Sequence, residues 1–195
     1  MWKQMAPAFR IMALFTVLTG LIYPAVVTGL CQLLFHAKAD GSLISINGQV
    51  VGSRLIGQNF AQPQYFHPRP SAAGNEGYDG MASGGSNYGP TSQKLVDRVK
   101  ASVEQFRKEN PDFAGPIPAD LLTASASGLD PDISPASAYA QAARVAKARG
   151  VPVEQVRQVI LTSIENRQLG FLGEPRVNVL CLNLALDRQF GRKEY

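Results

Sequence analysis

The stretch IMALFTVLTGLIYPAVVTGLCQLLF, residues 11–35, decides the fold of this chain. It contains no charged side chain and is longer than the roughly 20 apolar residues that a helix needs to cross a bilayer. A helix of this length spans about 30 Å of hydrocarbon with some tilt to spare. We therefore predict one transmembrane helix at 11–35, a short N-terminal segment at 1–10 and one domain at 36–195.

The charges around the span predict its orientation. Lys3 and Arg10 precede it, whereas Lys38 on the far side is balanced by Asp40. By the positive-inside rule the N-terminus stays in the cytoplasm and the main domain is extracytoplasmic. The alternative is a cleaved signal peptide, since Ala37-Lys38-Ala39 has the small-x-small form that signal peptidase accepts. The apolar region of a signal peptide is usually only about 7–15 residues long.

Small residues inside the span predict packing against other membrane helices. Thr16 and Gly20 form one small-xxx-small pair, and Ala25 and Gly29 form another. Pro24 removes one backbone donor and is expected to kink the helix. Gly and Pro are also common in membrane helices that make no such contact, so spacing alone leaves both interpretations open.

Composition excludes several function classes. All 15 acidic residues and all but two of the 19 Lys and Arg follow residue 35, so the domain carries little net charge and no nucleic-acid footprint. The two cysteines are Cys31, within the span, and Cys181, so no disulfide framework is predicted. With His36 and His67 as the two histidines, no metal site built by this chain alone is expected.

The pattern after the span predicts an α+β domain, with a small antiparallel sheet followed by about three helices. Residues 42–52 alternate around Asn47-Gly48, which is typical of a hairpin, and Leu55-Ile56 and Phe60 are expected to extend the sheet. Residues 62–90 predict a long ordered loop, because disordered segments are poor in aromatic residues and this one contains several.

Capping residues predict the helices. Thr91 or Ser92 begins the first, which ends at Asn110-Pro111. Ser134, Pro135 and Gly150 delimit the second. The third opens at Pro152 and continues to Ile164. The closing segment from Val177 to Phe190 predicts a strand at Val177 and Val179, followed by a short helix through Leu186.

Five motifs that fix a phosphate, a nucleophile or a metal by a known geometry are missing from the sequence: G-x-x-x-x-G-K-[ST], G-x-G-x-x-G, G-x-S-x-G, S-x-x-K and H-E-x-x-H. A membrane-anchored extracytoplasmic serine hydrolase remains an alternative function. It would use His67 as its base and one of four serines as nucleophile: Ser83, Ser86, Ser125 or Ser127.

Two loops rich in Gly and Ser provide a second alternative, a nucleotide-binding module. Exposed backbone N–H groups in such loops can bind phosphate, whereas tight turns that only pack and cap helices are the structural alternative. No Lys stands where a phosphate-binding loop needs it. The candidate residues are Ser83, Gly84, Gly85, Ser86, Asn87, Ser125, Ser127 and Gly128.

Several blocks together resemble one family, the C subunit of the bacterial Kdp potassium-transporting ATPase. They occur in the family's order and cover nearly the whole chain. One departure is Asp132, where many relatives carry His after Asp-Pro, so a role of that imidazole does not transfer. The blocks are Gly20-Leu-Ile-Tyr-Pro24, Gly57-Gln-Asn-Phe60, Tyr65-Phe66-His67-Pro-Arg-Pro-Ser71, Ser83-Gly-Gly-Ser-Asn87, Leu122-Thr-Ala-Ser-Ala-Ser-Gly-Leu-Asp130, Gly173-Glu-Pro-Arg-Val-Asn178 and Leu182-Asn-Leu-Ala-Leu-Asp187.

The resemblance implies a non-catalytic accessory subunit in the bacterial inner (plasma) membrane. Its partners would be a polytopic potassium-channel-like subunit and a P-type ATPase subunit, with potassium as the transported ion. The family role also includes that of a catalytic chaperone that raises the ATP affinity of the hydrolysing subunit, so ATP enters only at the level of the complex. The predicted partner contacts are Thr16, Gly20, Tyr23, Pro24 and Gly29 in the span, and Tyr65, Phe66, Arg69 and the loop from Ser83 to Asn87 outside it.

Overall fold

A long N-terminal helix begins the computed structural model, which describes residues 2–192. The helix runs from Trp2 to Ala39 and is long and apolar enough to cross a membrane. The outer ends of the predicted segments 1–10 and 36–195, at residues 1 and 193–195, lie outside the described residues.

The helix changes its hydrogen bonding just before Pro24. Helix α1 (Trp2–Val17) is followed by a π-helical segment (Leu18–Ile22) and by α2 (Tyr23–Ala39). The N–H of Tyr23 donates to the carbonyl of Leu18, five residues back. Proline has no N–H to donate to the carbonyl of the residue four positions before it, so regular bonding is interrupted next to Pro24. Within α2 the backbone leaves helical angles at Phe35, with φ of −139° and ψ of 40°, and a kink lies there. A kink at Pro24 itself stays a prediction.

The predicted hairpin follows the helix. Strands β1 (Leu43–Ile46) and β2 (Gln49–Ser53) pair antiparallel, and Asn47 and Gly48 both have positive φ, as a type I′ turn requires. The helix and hairpin form one compact unit, which ends at Ser53.

The second compact unit begins at Arg54 and contains mixed helices and strands. The described residues form four α-helices here, the three predicted ones and the closing helix, with a short 3₁₀ turn at Ala119–Leu121. Helix bounds follow the capping residues closely: Ser92 precedes the first helix, and Ser134 accepts from the N–H of Ser137 at the start of the second. The helices are α3 (Gln93–Glu109), α4 (Pro135–Arg149), α5 (Val153–Ser163) and α6 (Val179–Phe190).

A three-stranded antiparallel sheet lies among these helices, in the order β3 (Asp132–Ile133), β5 (Arg176–Asn178), β4 (Ile164–Glu165). The strand predicted at Val177 is confirmed, since this residue lies in β5. Two other predictions about strands are wrong. Leu55-Ile56 and Phe60 extend no sheet, because they belong to an irregular segment, and Val179 begins α6 because Asn178 caps that helix by accepting from the N–H of Cys181.

The main core lies where α4, α5 and α6 meet the sheet. The Ala-rich helix α4 allows close packing, and the branched side chains of the other elements fill the remaining space. The buried core side chains include Phe66, Ile133, Val145, Val156, Ile160, Val177, Leu182 and Leu186.

Candidate functional site

The long loop of residues 62–71 is fastened to the domain by buried side chains. Phe66 is fully buried in the core. Its N–H donates to Oδ1 of Asn183 at 2.8 Å, and its carbonyl accepts from Nδ2 of the same residue at 3.0 Å. One side-chain amide on α6 thus satisfies both backbone groups of Phe66, as a neighbouring strand would.

Helix α4 repeats this arrangement at the next residue. The N–H of His67 donates to Oε1 of Gln141 at 2.8 Å, and Nε2 of Gln141 donates to the carbonyl of His67 at 3.1 Å. Arg144 then donates to the carbonyls of Pro63 and Tyr65, at 2.7 and 3.0 Å. Burial lowers the pKa of Arg144 to about 10, so its guanidinium stays charged at neutral pH.

Arg149 completes the attachment from the end of α4. Its Nε donates to the carbonyl of Gln64 at 2.8 Å, and its guanidinium pairs with Asp187 at 2.7 Å. Tyr65 donates its hydroxyl to the same carboxylate at 3.0 Å, and its ring lies 5.1 Å from the guanidinium. Burial and the hydrogen bond to Asp187 raise the pKa of Tyr65.

A cleft of about 370 Å³ opens beside this loop and is lined by α3 on its other side. His67 faces it, with Nδ1 3.2 Å from Glu109 and Nε2 3.2 Å from the carbonyl of Gln62. Burial lowers the pKa of His67, and the charge of Arg144 lowers it further, whereas Glu109 opposes both effects. The imidazole is therefore neutral at pH 7.

The two loops rich in Gly and Ser lie against each other. The N–H of Gly84 donates to the carbonyl of Ser127 at 2.8 Å, and the hydroxyl of Ser83 donates to the same carbonyl at 3.0 Å. A Cβ on Gly85 would lie 2.9 Å from the carbonyl oxygen of Ala126, and one on Gly128 would lie 2.7 Å from that of Gly84. Glycine is required here because backbone meets backbone.

Turn hydrogen bonds occupy N–H groups in these loops. Gly128 donates to the hydroxyl of Ser125 at 2.9 Å, and Leu129 donates to that of Ser127 at 3.1 Å. This is the arrangement of Ser/Thr turns. The geometry favours a structural role for these residues, and phosphate binding by Ser83 to Asn87 stays a prediction.

The imidazole of His67 is not placed beside the predicted nucleophiles. Its ring nitrogens contact Glu109, Gln62 and Arg144, whereas Ser83 and Ser125 form bonds within the two loops. In the described part of the chain, no hydrogen bond joins this imidazole to any of the four serines that a hydrolase would use. The geometry gives that alternative no support.

The predicted partner contacts differ in exposure. Phe66 is inside the core, so its side chain fixes the loop, whereas Tyr65 and Arg69 are half-buried at the surface. Arg69 pairs with Asp130 at 2.7 Å. In the helix, the predicted contacts Thr16, Gly20, Tyr23, Pro24 and Gly29 are exposed within their own unit.

Comparison with known proteins assigns the family. The family model described as "K+-transporting ATPase, c chain" matches residues 5–188. The potassium-transporting ATPase KdpC subunit of Myxococcus xanthus is 60% identical over 98% of this chain and 90% of its own length. The chain belongs to the KdpC family. The KdpC subunits of Gemmatimonas aurantiaca and Koribacter versatilis are 57% and 55% identical, each over 96% of this chain and 94% and 95% of their own lengths.

Asp132, where the sequence departs from the KdpC pattern that we expected, contacts two residues of the neighbouring strand β5. Asp132 pairs with Arg176 at 3.1 Å and accepts from Nδ2 of Asn178 at 3.2 Å. Burial raises the pKa of Asp132, whereas Arg176 lowers it. Both partners lie in the Gly173 to Asn178 block, so the carboxylate here has a structural role in the sheet.

The sequence analysis did not predict the side chains that hold the loop of residues 62–71. Gln141 and Arg149 share a face of α4 with Val145, at helical spacing of four residues. Asn183 shares a face of α6 with Leu186 and Val179. A polar side chain within an otherwise apolar stripe is the signal that would have identified them, because a buried amide must find partners.

Proposed function

We propose that this chain is the non-catalytic accessory subunit of an ATP-driven potassium uptake complex, anchored in the bacterial inner membrane by its N-terminal helix. The observation that carries the proposal is the family match, which runs through both the apolar helix and the domain after it. The KdpC relatives are aligned over nearly their full length as well.

Hydrolysis and conduction are assigned to the partners. The printed sequence contains no Asp-Lys-Thr-Gly phosphorylation motif and no selectivity-filter sequence. The environment of His67 is that of a neutral, hydrogen-bonded loop residue. These features support a binding and assembly role with a polytopic channel-like subunit and a P-type ATPase subunit.

The fastened loop supports assembly through a preorganised surface. Backbone groups of five successive residues, from Pro63 to His67, are bonded to side chains of α4 and α6. A surface that is already ordered loses less conformational entropy when a partner binds. We infer that Tyr65, Arg69 and the loop from Ser83 to Asn87 contact the channel-like subunit and cover its ion entrance.

An effect on ATP affinity would have to act at a distance. With the N-terminus in the cytoplasm, the domain lies across the membrane from nucleotide. The chaperone role would then be a coupling free energy between sites, passed through membrane helices. Direct contact with ATP would require the opposite orientation.

Copurification from the native membrane tests the assignment. We expect the tagged full-length chain to bring down two polytopic proteins, and deletion of its gene to abolish high-affinity potassium uptake. Recovery of the chain without either protein, under detergent conditions that keep other membrane complexes intact, would overturn the proposal.

Orientation is tested separately by cysteine labelling of the intact complex. With Cys31 and Cys181 replaced by Ser, a membrane-impermeant maleimide should label Glu104→Cys, at an exposed position of α3 away from the proposed partner contacts, in spheroplasts. The matched variant Lys3→Cys should be labelled only after lysis. The reverse labelling pattern would place the domain in the cytoplasm, where it could contact nucleotide directly. Coupling across the membrane would then not be needed.

A further inference from the structure

A small hairpin of the second unit exposes three large apolar side chains in four residues. We name Leu169, Phe171 and Leu172 the apolar tip; their exposed fractions are 83, 70 and 48%. The tip is ordered by backbone hydrogen bonds, since Gln168 and Leu172 exchange both N–H groups and carbonyls at 2.9 Å. Exposed apolar side chains on a fixed turn indicate a contact surface.

The apex of this hairpin is strained. Leu169 has φ of 52° and Gly170 has φ of 83°, so a leucine occupies a left-handed position where Asn or Gly is the favourable residue. Neither burial nor turn preference explains a leucine at this position. Backbone strain that places an apolar side chain at a protruding apex is typical of a functional feature.

The hairpin is attached where the polypeptide enters its unit. Arg54 is the first residue of that unit and is bonded to Ser53, the last residue of the unit that contains the apolar helix. Its guanidinium pairs at 2.5 Å with Glu165, in the strand that leads into the hairpin. Its carbonyl accepts at 3.0 Å from Asn178, in the strand that leads away. The hairpin is therefore attached to the residue at which the polypeptide enters this unit.

The base of the hairpin carries balanced charges. Arg176 pairs with both Asp132 and Glu165 at 3.1 Å, and Arg167 pairs with Glu174 at 2.6 Å. With Arg54, the base contains as many arginines as carboxylates. A surface of this kind neither repels zwitterionic headgroups nor depends on anionic ones.

We propose that the apolar tip inserts into the headgroup and acyl boundary of the same bilayer that holds the anchor. The size of the tip favours lipid over a protein partner. A stable protein interface buries about 800 Å² on each side and involves roughly 20–30 residues. Three side chains at one convex turn are far fewer, yet interfacial insertion to about 5–10 Å needs only such a small apolar element.

Insertion anchors the domain at a second point, and it rests on the membrane anchorage stated under Proposed function. A domain that is held by both the anchor and the apolar tip cannot rotate freely about the segment that joins it to the anchor. The tip thereby sets the orientation from which the loop fastened by α4 and α6 meets a partner.

A single tryptophan at the tip provides the test. The chain has one tryptophan, Trp2, so the double variant Trp2→Phe/Phe171→Trp reports from the tip alone. We would reconstitute this full-length chain into phosphatidylcholine nanodiscs with and without brominated acyl chains. Because bromine quenches only at acyl depth, we expect roughly a two-fold or greater loss of fluorescence, in keeping with interfacial burial. The loss should persist in about 1 M salt, where the Debye length is about 3 Å.

The control is Trp2→Phe/Leu161→Trp, which places tryptophan on α5 at a side chain that is 56% exposed. It should remain unquenched by brominated lipid and accessible to iodide. Leu172→Trp, in the same Trp2→Phe background, repeats the measurement should Trp at 171 disturb the turn.

Two results would overturn tip insertion while leaving the anchor intact. One is a tip tryptophan that iodide quenches and brominated lipid does not. The other is a tip tryptophan that both quenchers fail to reach in the complex purified with its partners, which would assign the tip to a protein surface. Failure of the chain to copurify with the discs would refute the anchor and the tip together.

Discussion

Replacing Asn183 with Ala should release the fastened loop and lower the stability of the domain. The amide of Asn183 is almost completely buried and provides the hydrogen bonds to the N–H and the carbonyl of Phe66, at 2.8 and 3.0 Å. Phe66 is fully buried, so neither backbone group has direct access to bulk water. Each buried group left unpaired costs about 1–3 kcal/mol, and the two together give a predicted loss of about 2–6 kcal/mol.

This loss is large compared with the usual free energy of unfolding of about 5–15 kcal/mol. The assay is urea unfolding of the full-length chain in detergent, followed by far-UV circular dichroism, with amide hydrogen exchange at Phe66 as the local measurement. Asn166→Ala, the same change at an exposed position, should alter stability by less than about 0.5 kcal/mol. If the two variants unfold at the same urea concentration, the side-chain amide is not what satisfies the loop and the reasoning is refuted.

Three further predictions follow from particular contacts. Gly128→Ala should lower the unfolding free energy by at least about 1–2 kcal/mol, because φ is +68° and the new Cβ would lie 2.7 Å from the carbonyl oxygen of Gly84. The control Gly80→Ala, which has open space around the new Cβ, should be nearly neutral in the same urea titration. The pKa of His67 is lowered in the folded state, so the folded state binds fewer protons than the unfolded state. The unfolding free energy should therefore fall as the pH drops from about 6.5 through the lowered pKa. His67→Gln should flatten that part of the pH profile. Gly20→Leu should weaken copurification of partners without changing the urea midpoint, because a Cβ there would meet no other part of the described residues 2–192 within 4 Å. Normal assembly, equal to that of Val26→Leu, would exclude this helix face as a contact.

The elements that sequence predicted are those whose signals are local. The length of an uncharged run can be read directly from the sequence. The capping residues Ser134 and Gly150 mark the ends of α4 to the residue. The three-stranded sheet was mostly missed because its strands have two or three residues each, too few to show alternation. Leu55-Ile56 resembles a strand in composition but lies in an irregular segment, because strand formation also depends on the rest of the fold.

The candidate site was predicted only as a segment. Aromatic residues marked the loop as ordered, but the side chains that order it lie far away in sequence: Asn183 is 117 positions from Phe66, and Gln141 is 74 from His67. No local pattern specifies such a pairing. The close approach of Gly84 and Gly128 is of the same kind, since glycine content suggests a tight turn and says nothing about which turn it meets.

The arrangement of this chain limits how an outer domain can influence nucleotide in the cytoplasm. With the proposed orientation, any coupling passes through membrane helices, either the anchor of this chain or those of its partners. A regular helix moves as a stiff rod, but here the segment Leu18–Ile22 has π-type bonding directly before Pro24. An interrupted hydrogen-bond ladder is less stiff than a regular helix. Energetic coupling needs an element with two arrangements, so we expect any coupling that the anchor carries to depend on this segment.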